Sequence, residues 1–148
     1  MKLTALLLML AAFSTFVPSA AAQRQFINAP GLHQQGLPFS DAVLVGDTLY
    51  LSGNIGLDPK TGKVPEDFVE EARQALKNLG AVLKTANFDY KDVVKVNVFL
   101  ADMARFNEWN KLYLEFFAGD FPARSTVAVT GLAFGAKLEV EMIAVRKK

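Results

Sequence analysis

Apolar and polar positions change their period along the chain, and each change marks a predicted element. Phe39 to Val45 and Thr48 to Ser52 read as two strands, and Gly46-Asp47 between them supplies a hairpin turn. Gly53-Asn54-Ile55-Gly56 then leaves the second strand through two glycines. A glycine beside Ser52 suits a pocket wall, where another group approaches the backbone closely, and it suits a β-bulge equally well. Pro65 and Glu66-Asp67 open a helix with acids at its positive end. Phe68, Ala72, Ala75/Leu76, Leu79, Val82/Leu83 and Ala86 form its apolar stripe, which predicts that Glu70, Glu71, Arg73, Lys77 and Lys84 face out. Val93 to Leu100 is a β-branched strand. Asp102 caps a second helix, Met103 to Phe117, which buries Phe106, Trp109, Tyr113 and Phe116/Phe117 and carries Asn110 one position from that stripe. Two last strands, Thr126–Thr130 and Lys137–Val145, are joined by a loop at 131–135, and a short edge strand is expected at Arg24–Asn28.

The order is β-β-α-β-α-β-β, a single α/β domain with a mixed sheet. Two helices cover only one face of such a sheet. Val93–Leu100, Thr126–Thr130 and Ile143–Val145 nevertheless place apolar residues on both faces. The second face predicts a homo-oligomer with sites at or near its subunit interfaces.

Ahead of this domain, Lys2 gives a positive start, Leu3 to Phe16 is almost wholly apolar, and Pro18 breaks the run before Ala20-Ala21-Ala22. That is the layout of a secretory signal peptide over residues 1–22, followed by a mature domain at 23–148. The expectation is an exported protein, periplasmic or secreted, without a stable membrane anchor after cleavage. The apolar run is too short for a comfortable span.

Composition narrows the chemistry. The whole chain carries a formal charge of +1, and loss of Lys2 with the leader brings the mature domain to about zero. Basic residues are scattered, so no nucleic-acid partner is expected. There is no cysteine and a single histidine, His33, in a Gly/Gln-rich loop where solvation is expected. Thiol nucleophiles, serine–histidine triads and zinc sites are therefore not predicted, and neither phosphate-cradling glycine motif is present. No metal and no cofactor is expected. What remains is a small polar set: Ser52, Asn110, Arg124, Thr126 and Glu139.

Arg124 lies in Phe121-Pro122-Ala123-Arg124-Ser125-Thr126, where Pro122 stiffens the chain just before it. A fixed guanidinium matches a carboxylate bidentately, although a surface ion pair is the plainer reading. Glu139 alternates with apolar residues on the last strand, where a carboxylate is either inward and working or one of two on a solvated edge with Glu141.

Five stretches together resemble the Rid family, also called YjgF, the enamine/imine deaminases. They are Ser52-Gly53-Asn54-Ile55-Gly56, Asp92-Val93-Val94-Lys95-Val96, Asn110 before Tyr113 and Phe116-Phe117, Phe121-Pro122-Ala123-Arg124-Ser125, and Glu139-Val140-Glu141-Met142-Ile143-Ala144. The resemblance runs from about Pro38 to Arg146. It implies a chorismate-mutase-like fold, with two helices on one face of the sheet, assembled as a homotrimer with clefts between subunits. It also implies that Arg124 clamps a substrate carboxylate, that Glu139 positions the attacking water, and that Ser52, Gly53, Asn110, Phe39 and Thr126 line the pocket. The implied reaction turns a 2-imino acid into a 2-oxo acid and ammonia. Two departures stand out: Leu37-Pro38-Phe39 occupies a G-P-Y element, so a phenolic hydroxyl is missing, and Thr126 stands where a cysteine is common. A non-catalytic envelope oligomer that binds small carboxylates or shields other proteins is the alternative. A ribonuclease, a role attached to some members, fits poorly with near-zero charge and export.

Overall fold

The computed structural model describes residues 23–117 and 119–147; the expected signal peptide, 1–22, lies outside the described residues. The main elements are β1 (Arg24–Ile27), β2 (Ala42–Val45), β3 (Thr48–Ile55), α1 (Phe68–Thr85), β4 (Val93–Leu100), α2 (Phe106–Phe116), β5 (Ala123–Ala128) and β6 (Leu138–Val145). They form one six-stranded sheet in the order β1-β2-β3-β6-β4-β5. Only β4 and β5 run parallel, because α2 carries the chain back across the sheet between them. This is the predicted mixed α/β architecture, with β1 as the expected edge strand.

Several boundaries differ from expectation. The strand placed at Thr126–Thr130 starts at Ala123, because parallel pairing with Lys95 begins there and recruits the stretch that Pro122 has already extended. The first long strand starts at Ala42 instead of Phe39, where the chain first pairs with both neighbours. The second helix is split: a 3₁₀ turn, Met103–Arg105, precedes α2, with the Asp102 carboxylate accepting from the Ala104 amide at 2.9 Å.

Both helices pack on one face. Leu49, Val96, Val98, Leu138 and Val140 meet them there and are fully buried. The other face is bare. One rung of pairing crosses it from Phe26 through Val43, Tyr50, Ile143 and Lys95 to Ala123, and Phe26 and Tyr50 are exposed in the single chain. The two-faced sheet read from the sequence is thus present, and the uncovered face mixes apolar residues such as Phe26, Tyr50 and Ile143 with polar ones such as Lys95.

Glu71 corrects the expectation that it faces out. Three residues after Phe68 and four before Ala75, it falls on the apolar stripe and is 0% exposed. Its carboxylate accepts from the Lys137 amide at 2.6 Å and the Leu138 amide at 3.2 Å, while Lys137 Nζ lies 3.0 Å away. Gly56 lets α1 come this close, since a Cβ there would fall 2.2 Å from the Glu71 carbonyl oxygen. Glu71→Ala should strand two amides at the start of β6 and cost about 3 kcal/mol. Urea unfolding should show this as a lower midpoint with an unchanged slope, and Glu71→Gln should recover part of the loss.

Candidate functional site

Arg124 is the second residue of β5, the edge strand, and pairs with the fully buried Val96 of β4. Its side chain is therefore on the helix side of the sheet. There its Nη2 donates to Asn110 Oδ1 of α2 at 2.6 Å, and its guanidinium lies 4.7 Å from the Tyr113 ring centroid and 5.7 Å from that of Phe106. Aromatic faces favour a cation held above them. Burial pushes the Tyr113 phenol up to about 12, against the opposing pull of the Arg124 charge, so the ring stays neutral. Among the described residues no carboxylate pairs with Arg124, which removes the surface ion-pair reading. The guanidinium opens into a groove of about 360 Å³ walled by Leu114, Phe121 and Pro122. Held by an amide on one side and ring faces on another, the fork has donors left for a planar anion.

Glu139 lies on the opposite, bare face. It pairs with Phe99 and Ile55, and its neighbours Leu138 and Val140 point at the helices. Both readings of Gly53 hold. The β3–β6 register shifts between Leu51 and Asn54, and a Cβ on Gly53 would sit 1.8 Å from Glu139 Oε1. The glycine makes the bulge and receives the carboxylate. Partial burial pushes the Glu139 carboxyl up from the ordinary glutamate value, and the like charge of Glu141 adds to it. Asn97 occupies Glu141 instead, with Nδ2 donating to Oε1 at 2.7 Å. Glu139, Ser52, Gly53 and Phe39 line one cavity of about 580 Å³. Phe39 is 51% exposed at its rim, and Ser52 Oγ donates to the Ser40 carbonyl at 2.7 Å.

The predicted residues thus fall into two groups, which one chain does not bring together. Asn110 and Arg124 stand on the helix side; Phe39, Ser52, Gly53 and Glu139 stand on the other. Thr126 shares the face of Arg124 but lines neither cavity, and its buried hydroxyl has no hydrogen-bond partner.

Two features escaped the sequence reading. Tyr113 belongs to the core as its spacing predicts, and it is also the floor beneath Arg124; its three-residue spacing from Asn110 puts both on one helix face. His33 is not solvated as expected. Its Nδ1 lies 2.9 Å from Asp41 Oδ1, and it lines the Glu139 cavity. Among the described residues no cluster of His, Cys, Asp and Glu could hold a metal ion, and no helix is long and apolar enough to cross a membrane.

Known proteins with the same sequence pattern cover most of this domain. The profile of the family described as Endoribonuclease L-PSP matches residues 29–146. The 2-iminobutanoate/2-iminopropanoate deaminase of Mus musculus is 50% identical over 110 residues, 74% of this chain and 82% of the mouse protein. The Homo sapiens protein of the same name is 46% identical over 74% of this chain and 80% of its own. The E. coli TdcF structure with bound serine superimposes with a TM-score of 0.78 at 33% identity, covering 83% of this chain and 100% of that one. With the fold, the paired motifs and these matches in agreement, the chain belongs to the Rid/YjgF family.

Proposed function

We propose that the protein is a 2-imino acid deaminase that hydrolyses reactive enamine/imine intermediates to 2-oxo acids and ammonia. The observation that carries this reading is Arg124: a guanidinium fixed by Asn110 and Tyr113, with no carboxylate partner among the described residues, at the mouth of a groove. It is built to receive the carboxylate of a small acid. An imine carbon is already electrophilic, so hydrolysis needs orientation, one water and proton transfer. Glu139, raised in pKa and seated against Gly53, suits the role of positioning that water and taking its proton. Ser52, Gly53 and Phe39 line the Glu139 cavity and Asn110 lines the Arg124 groove, while Thr126 stands on the Arg124 face.

Arg124 and Glu139 of one chain lie on opposite faces of its sheet and cannot grip one small substrate. We therefore propose a homotrimer in which the Arg124 half-site of one subunit meets the Glu139 half-site of its neighbour, with the bare sheet faces covered by assembly. The leader-like layout of residues 1–22 supports export to the periplasm or beyond, where the substrate would be a small imino acid or carboxylate.

A non-catalytic binding role draws its support from Phe39, which brings no hydroxyl to the cavity. Ribonuclease activity, the name on the family profile, finds less. Arg124 is the lone Lys or Arg lining either cavity, and a phosphate backbone needs several.

The test generates 2-iminopropanoate with an amino-acid oxidase and traps it with semicarbazide. The protein should lower semicarbazone formation. Arg124→Ala should remove that effect by at least about a hundredfold while leaving the assembly intact. No reduction from an intact assembly would favour the binding role. Glu139→Gln should keep ligand binding and slow turnover. Because the carboxyl pKa is raised, kcat of the parent should fall with decreasing pH while still above the ordinary glutamate range, and the variant should lose that limb.

Gly53→Ala should move the flexible Glu139 side chain more than the fold. Turnover should fall on the order of a hundredfold with little change in melting temperature.

Unfolding and refolding the inactive Arg124→Ala and Glu139→Gln chains together should restore activity, to roughly a quarter of the parent sites if each site draws on two subunits. Zero recovery from confirmed mixed assemblies would contradict the shared site.

A further inference from the structure

The cavity that holds Glu139 contains a second ionisable pair for which the proposed reaction has so far no use. Asp41 stands at the start of β2, where its carbonyl accepts from the Ser52 amide at 2.9 Å and extends the Ala42–Leu51 pairing by one rung. Since Ala42 and Leu51 are buried toward the helices, Asp41 and Ser52 share the Glu139 face. The N-terminal loop closes over Asp41 and leaves it 6% exposed. Its carboxylate is fully engaged: Oδ2 accepts from the Ala29 amide at 2.8 Å, and Oδ1 meets His33 Nδ1 at 2.9 Å. The loop is itself fixed, with the Leu32 and His33 amides both donating to the Ala29 carbonyl at 3.1 Å.

A carboxylate oxygen accepts, so His33 Nδ1 carries the proton of this bond. Its Nε2 has no partner among the described residues and is the atom left to exchange a proton. An imidazole held at Nδ1 by a buried carboxylate is oriented, with Nε2 turned away from that bond. The titratable side chains lining this cavity are His33, Asp41 and Glu139, with Glu141 next along the same face of β6; no Lys or Arg lines it.

We propose, on the basis of the deaminase reading, that His33, held by Asp41, is the second proton carrier of imine hydrolysis. Water attacks the imine carbon and loses a proton to the Glu139 carboxylate. The C=N electron pair moves to nitrogen, which takes a proton from His33 Nε2, giving a carbinolamine. The Glu139 carboxyl then protonates the amine and the C–N bond breaks. Neutral His33 takes the hydroxyl proton as the carbonyl forms. Ammonia and the 2-oxo acid leave, and both side chains return to their starting states. His33 brings a proton-carrying group from the loop to a cavity where Phe39 offers no hydroxyl.

The experiment compares His33→Ala and His33→Asn with the parent assembly in the semicarbazide assay across pH. The Asn amide can still donate to Asp41 and keep the loop closed, but it has no proton carrier at the Nε2 position. Both variants should lose kcat on the order of a hundredfold with KM little changed. Both should also change the pH profile of kcat from that of the parent, and added imidazole should partly rescue His33→Ala. Parent-like kcat and pH profile in His33→Ala, or full recovery by His33→Asn, would overturn the role and leave His33 as a loop fastener. A parent protein that clears no imine would overturn the deaminase reading and this step with it.

Discussion

The buried carboxylate of Glu71 is the contact through which the helical layer and the central strand of the site are joined. A charge fully removed from water is costly unless its oxygens are occupied, and here two strand-end amides and an ammonium occupy them. The bond crosses 66 residues of sequence, from α1 to the start of β6. It therefore locks the register of the strand that pairs with both β3 and β4. Glu139 follows two residues after that anchor. Its place against Gly53 is inherited from Glu71 and from the Gly56 gap that admits the helix. Stability and site geometry are set by the same carboxylate.

The alternation of strand side chains sets the second constraint. In β5 and β6 the residues facing the helices are fixed by burial, so Arg124 goes to one side and Glu139 to the other without further choice. No rotamer change moves a side chain through a hydrogen-bonded sheet. A reaction that uses both residues on one small molecule requires a second copy of the chain. The bare face leaves Phe26, Tyr50 and Val127 exposed in the single chain, and covering them would favour such an encounter.

Much of this was legible in the chain. The periods of two and three to four gave the strands, both helices and the two-faced sheet, and Pro122 gave the rigid approach to Arg124. What was lost has physical reasons. The charge of Glu71 points outward while its spacing between Phe68 and Ala75 points inward, and spacing decides because the strand-end amides and Lys137 satisfy the carboxylate. The start of β5 was put too late because parallel pairing with β4 is a long-range contact with no local signature. His33 was read as solvated because its partner, Asp41, lies eight residues away across a loop whose closure depends on the Ala29 turn. The division of the site into two half-sites was not visible residue by residue, since spacing along one chain says nothing about which copy supplies the partner.

Electrostatics link the two half-sites once they meet. In the lone chain Glu139 is raised by burial and by Glu141, and Arg124 has aromatic faces and an amide but no carboxylate. In the proposed assembly the guanidinium of one subunit approaches the carboxyl of the next, and an opposite charge at short range favours the ionised glutamate. In that assembly the ionised form of Glu139 is the one the guanidinium favours before substrate binds. When the substrate carboxylate occupies the fork, it neutralises that positive charge and closes out water, and both effects make Glu139 more basic. Substrate binding at one half-site would then strengthen the base at the other, only while a substrate is present. A free carboxylate in the cleft of an unliganded trimer would instead remain paired and weak, which keeps the site from activating water to no purpose.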